Sequence, residues 1–172
     1  MNLRLSDNTA LAVSVGVLGA VSTWLTATVL PVPVWVLFLA WASFFFCGGG
    51  RAGAVRGLLC NLAGIVIATL TLLVVTAGGG SVLLLGAAVG VGSAAMMLSS
   101  RIGVLAAAPA IVFGFAMTVG TIAATGTPIT TVSATNPALL AAAAAVAGVV
   151  FGLASEWLAG MLRGRRRDPA PS

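Results

Sequence analysis

The sequence predicts an all-α membrane protein of about six transmembrane helices, and three observations carry that reading. Hydrophobic residues make up 60% of the 172 residues and charged residues only 6%, which leaves a soluble domain of this size without a surface to hold water. The mean hydropathy is +1.17. The apolar residues also fall into runs, and a hydrocarbon core ~30 Å thick takes ~20 residues of helix to cross. Six such runs leave no room for an extramembrane domain. Residues 1–162 therefore read as one polytopic membrane domain and 163–172 as a basic cytoplasmic tail.

The first run covers 9–30. Ser6, Asp7 and Asn8 before it are candidate N-caps. It is too long for a signal peptide, whose apolar core is shorter and ends at a small-residue cleavage site. Pro31 and Pro33 make a turn, since each lacks an amide hydrogen and biases its predecessor away from helix. The second run, 34–47, is short and aromatic, and Gly48-Gly49-Gly50-Arg51 closes it. The third, 55–77, breaks at Gly78-Gly79-Gly80, and the fourth, 81–98, ends at Ser99-Ser100-Arg101. The fifth, 102–124, contains Pro109, which removes one backbone hydrogen bond and is expected to kink it. Residues 125–136 form the one sizeable polar loop. Asn136-Pro137 then reads as an N-cap followed by proline at the first helical position, opening the sixth run, 137–162.

Charge placement orients the chain. All eight basic residues are arginines. With the N-terminus inside, Arg4, then Arg51 and Arg56, then Arg101, then Arg163, Arg165, Arg166 and Arg167 all fall in cytoplasmic segments. The three outer loops hold none, so every loop obeys the positive-inside rule, and one missed span would invert each later loop. Both termini are expected in the cytoplasm. The net charge of +5 does not indicate nucleic acid, because these arginines sit in small clusters between apolar runs and not on one solvated face. Cys47 and Cys60 fall near cytoplasmic helix ends, where a disulfide framework is not expected and each serves as a small apolar group. His is absent and no paired carboxylates occur, so neither a metal site, a cofactor nor enzyme chemistry is expected.

Small residues set the packing. Gly86-x-x-x-Gly90 and Gly148-x-x-x-Gly152 each put two glycines on one helix face, either for packing within the chain or for a homo-oligomer interface. The halves are weakly alike. Phe38-x-x-Trp41-Ala42 matches Phe113-Gly114-Phe115-Ala116, and Ala63-Gly64 through Ala68 matches Ala147-Gly148 through Gly152. Three spans is an odd number, so a duplication would be inverted across the membrane, as in many transporters. Composition alone also makes Ala, Gly and Val recur.

Few residues are candidates for chemistry. Glu156 is the one acidic residue inside a span, ~10 Å from the cytoplasmic boundary at 1.5 Å per residue. It is expected to pair with Arg56, Arg101 or Arg51; coupling to a proton or cation is the alternative. Asn61 lies at a comparable depth and serves either as glue between helices or on a polar path. Trp41, Phe38 and Phe113 form either a lipid-facing or core stripe or a constriction for a solute. Trp24, Trp35 and Trp157 suit the interfacial belt.

Trp35-x-x-Phe38-Leu39, Phe44-Phe45-x-Cys47 with the glycine turn to Gly53, Pro109-x-x-x-Phe113-Gly114 and Gly148-x-x-Phe151-Gly152 stand in order along the chain. In these motifs the sequence resembles the YcdZ-like family of small bacterial inner-membrane proteins, catalogued as a domain of unknown function. The resemblance implies a multi-pass protein of a bacterial inner membrane, with both termini cytoplasmic as the arginines require, and carries no substrate. The leading expectation is a channel or facilitator for a small uncharged solute within the lipid bilayer. The alternatives are a non-transporting accessory component and a secondary transporter using Glu156.

Overall fold

The computed structural model describes residues 6–163, and all regular structure among them is helical. Six α-helices run through Asp7–Thr28 (α1), Val34–Phe46 (α2), Gly50–Ala77 (α3), Val82–Ser99 (α4), Ala108–Thr125 (α5) and Pro137–Arg163 (α6). Five of them are long and apolar enough to cross a membrane unaided. α2, at 13 residues, spans only about 20 Å at 1.5 Å per residue. It is sheltered by its neighbours: Val36, Leu37, Ala40, Trp41, Ser43 and Phe44 are buried. This is an all-α membrane protein. Arg4 and the basic tail beyond Arg163 lie outside the described residues.

Local chemistry explains the helix ends. Ser6 and Ser81 cap α1 and α4 by accepting the amides of Thr9 and Leu84 at 3.3 and 3.2 Å. Asn136 opens α6, accepting the Ala138 amide at 2.8 Å and donating to the Ile129 and Thr131 carbonyls at 2.9 and 2.8 Å, which ties the polar loop to the helix it precedes. Two boundaries differ from expectation. α3 begins at Gly50 and not near residue 55, because Gly48 and Gly49 complete the turn with φ of 96° and 69° and free the next residues for helix. Arg51 and Arg56 therefore lie on the helix itself. Pro109 does not kink α5. It sits in the first turn, where its missing amide has no partner to lose, and residues 103–105 form a separate 3-10 turn ahead of it.

α2, α3, α5 and α6 form the centre of the bundle; α1 lies mainly on α6, and α4 mainly on α3. The two halves pack by one rule. α5 rests on α3 as α2 rests on α6. Gly64 of α3 meets the Ile111 carbonyl and Phe115 amide of α5, and Gly148 of α6 meets the Leu37 carbonyl and Trp41 amide of α2. The hydrophobic clusters repeat the correspondence. Leu37, Trp41, Phe151, Ala147 and Leu18 form one, and Ile111, Phe115, Ile67, Ala63 and Met96 occupy the equivalent places in the other. Antiparallel succession of the helices makes the second half run opposite to the first. The three-plus-three arrangement is thus an inverted repeat with a pseudo-twofold axis between α2, α3, α5 and α6.

The contacts also sort the helix ends. Arg163 pairs with Asp7 at 3.5 Å, Glu156 reaches the start of α3, and Cys47, Cys60, Met96 and Ala107 share one cluster. The described arginines, Arg51, Arg56, Arg101 and Arg163, therefore gather at one end of the bundle.

Candidate functional site

Within α2, Ser43 is the one hydroxyl residue, and within α3, Asn61 is the one amide. The fold brings them together: both side chains are fully buried, and the Ser43 hydroxyl lies 2.8 Å from Asn61 Oδ1. α5 seals the pair, since Gly114 lies directly on the Asn61 backbone. Ser43 has a single proton and two acceptors in reach, Asn61 Oδ1 and the Leu39 carbonyl at 3.0 Å. Asn61 Nδ2 has no partner. Turning the amide over lets Nδ2 donate to Ser43 while Ser43 donates to Leu39, and then Oδ1 is unpartnered. Either way one polar atom of Asn61 is buried and unused, which costs about 1–3 kcal/mol.

The depth of this pair corrects the sequence reading. Glu156 bonds to the Gly50 amide, and Asn61 stands eleven residues further along α3, about 16 Å deeper at 1.5 Å per residue. In α3, which runs for 28 residues from Gly50, that is close to the middle of the helix. The pair also breaks the pseudo-twofold symmetry. Met117 and Ala145 occupy the corresponding positions of the second half, both fully buried in the apolar cluster with Val36, Ala40 and Ile65.

Glu156 does something other than expected. Among the described residues it forms no ion pair with Arg51, Arg56 or Arg101. Its Oε2 accepts the Gly50 amide at 2.9 Å, and its Oε1 packs against Gly49. A carboxylate at a helix N-terminus meets both unsatisfied amides and the positive end of the helix dipole. The glycines of the turn supply no side chain to do this, so a residue 106 positions away does it. Gly49 is buried with φ 69°, and a side chain there would occupy the space of the carboxylate.

The remaining candidates separate. Trp41 is buried, edge-on to Phe38 at 5.8 Å and against Phe151 at 5.6 Å. Phe113, half-buried on α5, belongs to none of the described ring pairs, so the three aromatics do not close one constriction. Gly148 and Gly152 lie against α2, at Ala40 and Phe44. Gly86 and Gly90 face open space and pack on nothing within the chain, because Gly92 is the α4 glycine turned to α3. Arg56 and Arg101 are exposed at the bundle end. Ser43, one hydroxyl among many, escaped notice in the sequence, and Gly64 and Gly114 stood there only as repeat and motif residues, because their close approaches need the neighbouring helix to be known.

A family model described as "Protein of unknown function (DUF1097)" matches residues 12–160, from the first turns of α1 to the last turn of α6. The chain belongs to the DUF1097 family. No curated protein and no solved structure matches it. Membership of DUF1097 agrees with the resemblance read from the motifs. The family's model takes in both halves of the repeat, the Ser43–Asn61 pair, and Glu156 with its glycine turn.

Proposed function

We propose that this DUF1097 protein is a non-enzymatic facilitator for a small, uncharged, hydrogen-bonding solute. Its setting is the bacterial inner membrane, with both termini and the arginine-bearing end in the cytoplasm. The single observation that carries this reading is the Ser43–Asn61 pair: a buried, incompletely partnered polar group near mid-depth, where two inverted halves meet. Carriers built from inverted repeats place their sites there. An amide and a hydroxyl, with no charge beside them, suit a neutral solute carrying donors and acceptors.

Packing favours a rocking carrier over an open channel. Gly64, Gly114, Gly148 and Gly152 bring the central helices to backbone contact, and Ala40, Met117, Ala141, Ala144 and Ala145 fill the space between them. Access to Asn61 then requires one half to move against the other. Coupling through Glu156 is disfavoured, because the carboxylate is committed to capping α3.

The test is flux in proteoliposomes without a gradient, over a panel of small amides and polyols. The wild type should accelerate entry of at least one of them. Asn61→Ala should abolish that entry, while Glu156→Gln should leave it within about twofold. Absence of flux for the whole panel, together with co-purification of a partner protein, would favour the accessory-component reading. Loss of pH-driven uptake in Glu156→Gln would favour a coupled transporter.

A further inference from the structure

The two halves of the repeat meet differently at the two ends of the bundle. Toward the arginine-bearing end, polar side chains cross from one half to the other. Glu156 of α6 accepts the Gly50 amide at 2.9 Å, the Ser14 hydroxyl of α1 donates to the Ser155 carbonyl at 2.8 Å, and Arg163 pairs with Asp7 at 3.5 Å. At the far end the halves meet through apolar side chains: Trp35 lies on Gly120, and Val32 and Val36 pack with Leu140 and Ala141. No side-chain hydrogen bond or ion pair joins the halves there among the described residues.

The repeat isolates the contact that matters. Gly48 and Gly49 turn α2 into α3, and residues 126–136 turn α5 into α6. The second connection caps its own helix, since Asn136 accepts the Ala138 amide at 2.8 Å. The first offers only glycine at the cap position, so α3 takes its cap from the other half. Eight residues on from each of the paired glycines, Gly148 and Gly64, stand Glu156 and Leu72. A leucine side chain has nothing to accept an amide, so the far end has no counterpart. Parting the halves at the far end leaves both caps intact, whereas parting them at the arginine-bearing end strips α3 of its own. A contact made in one of two states biases the equilibrium between them by its own free energy. We propose that Glu156 is the clasp of the arginine-bearing end: it holds that end shut while the far end is free to open, and it releases Gly50 when that end opens. This rests on the rocking of the halves proposed above, and not on which solute they carry.

Cys60 reports the opening. It is fully buried, and it packs from the first half into a cluster of second-half residues, Met96, Ala107, Ala110 and Ile111. In proteoliposomes of the Cys47→Ala chain, where Cys60 is the one cysteine left, Glu156→Ala should raise the rate of its alkylation by N-ethylmaleimide about tenfold. Glu156→Leu, which copies Leu72 and keeps the volume should Glu156→Ala fail to fold, should raise it as much. Glu156→Gln still accepts from the Gly50 amide and should stay within about twofold. Val36→Cys, in a chain lacking both native cysteines, reports the far end, and its rate should not rise in Glu156→Ala. An unchanged Cys60 rate in both Glu156→Ala and Glu156→Leu would overturn the proposal. So would an equal rise at Val36→Cys, which marks general loosening, or a Glu156→Gln as fast as Glu156→Ala. A selective rise at Cys60 in a chain that moves no solute of the panel would keep the clasp and remove the facilitator. Solute flux with an unchanged Cys60 rate would do the opposite.

Discussion

Glu156 reaches across more than a hundred residues of sequence to a backbone amide, and the substitutions that separate its charge from its hydrogen bond are simple to make. Glu156→Gln keeps an oxygen for the Gly50 amide and gives up only the charge–dipole part, about 0.5 kcal/mol. Glu156→Ala loses both and should cost about 1–2 kcal/mol. Gly49→Ala should be worse, about 2–3 kcal/mol, because the left-handed backbone and the lost space act together. Thermal unfolding in detergent should rank the three in that order, and a Glu156→Gln as damaging as Gly49→Ala would refute the capping role. Asn61 predicts the reverse dissociation. In Asn61→Ala the Ser43 proton still has the Leu39 carbonyl, and no buried amide remains unpartnered. Stability should stay within about 1 kcal/mol of wild type even as solute flux is lost.

Between helices, glycine spacing alone does not reveal which glycines matter. Gly86-x-x-x-Gly90 and Gly148-x-x-x-Gly152 have the same form, yet only the second lies against another helix. Gly148→Val should cost about 2–4 kcal/mol, as overpacking at a backbone contact does when nothing can yield, and Gly64→Val should match it across the pseudo-twofold axis. Gly90→Val should be close to neutral. Equal losses at positions 90 and 148, measured as midpoints of denaturation, would mean that the α4 face is packed against a partner.

Across the whole molecule, the gathering of the described arginines at one end predicts sidedness, with that end in the cytoplasm. The Asp7–Arg163 pair is exposed and contributes about 0–1 kcal/mol, so it marks the meeting of α1 and α6 without holding it. In a background with Cys47 and Cys60 replaced by alanine, Ser133→Cys should react with an impermeant thiol reagent applied to intact cells. Ser100→Cys should react only after permeabilisation. Labelling of Ser100→Cys alone would invert the arrangement, and labelling of both in intact cells would refute it.

The amino-acid sequence sufficed for the fold class and the helix count, and its arginines predict which loops face the cytoplasm. Those features follow from hydropathy summed over ~20 residues and from arginines that cannot be left in hydrocarbon, and both are local properties. It also held the repeat faintly, in Trp41-Ala42 against Phe115-Ala116 and in Gly64 against Gly148. What those residues touch depends on how the helices pack. A glycine faces a helix backbone or open space according to the rotation of its helix, which near-uniform apolar composition does not encode. The start of α3 shifted by one and a half turns once Gly48 and Gly49 took the turn, and that shift moved Asn61 from the depth of Glu156 to the middle of the bundle. Ser43 became notable only when α2 was laid beside α3, because a buried polar atom is defined by what its neighbours fail to offer it.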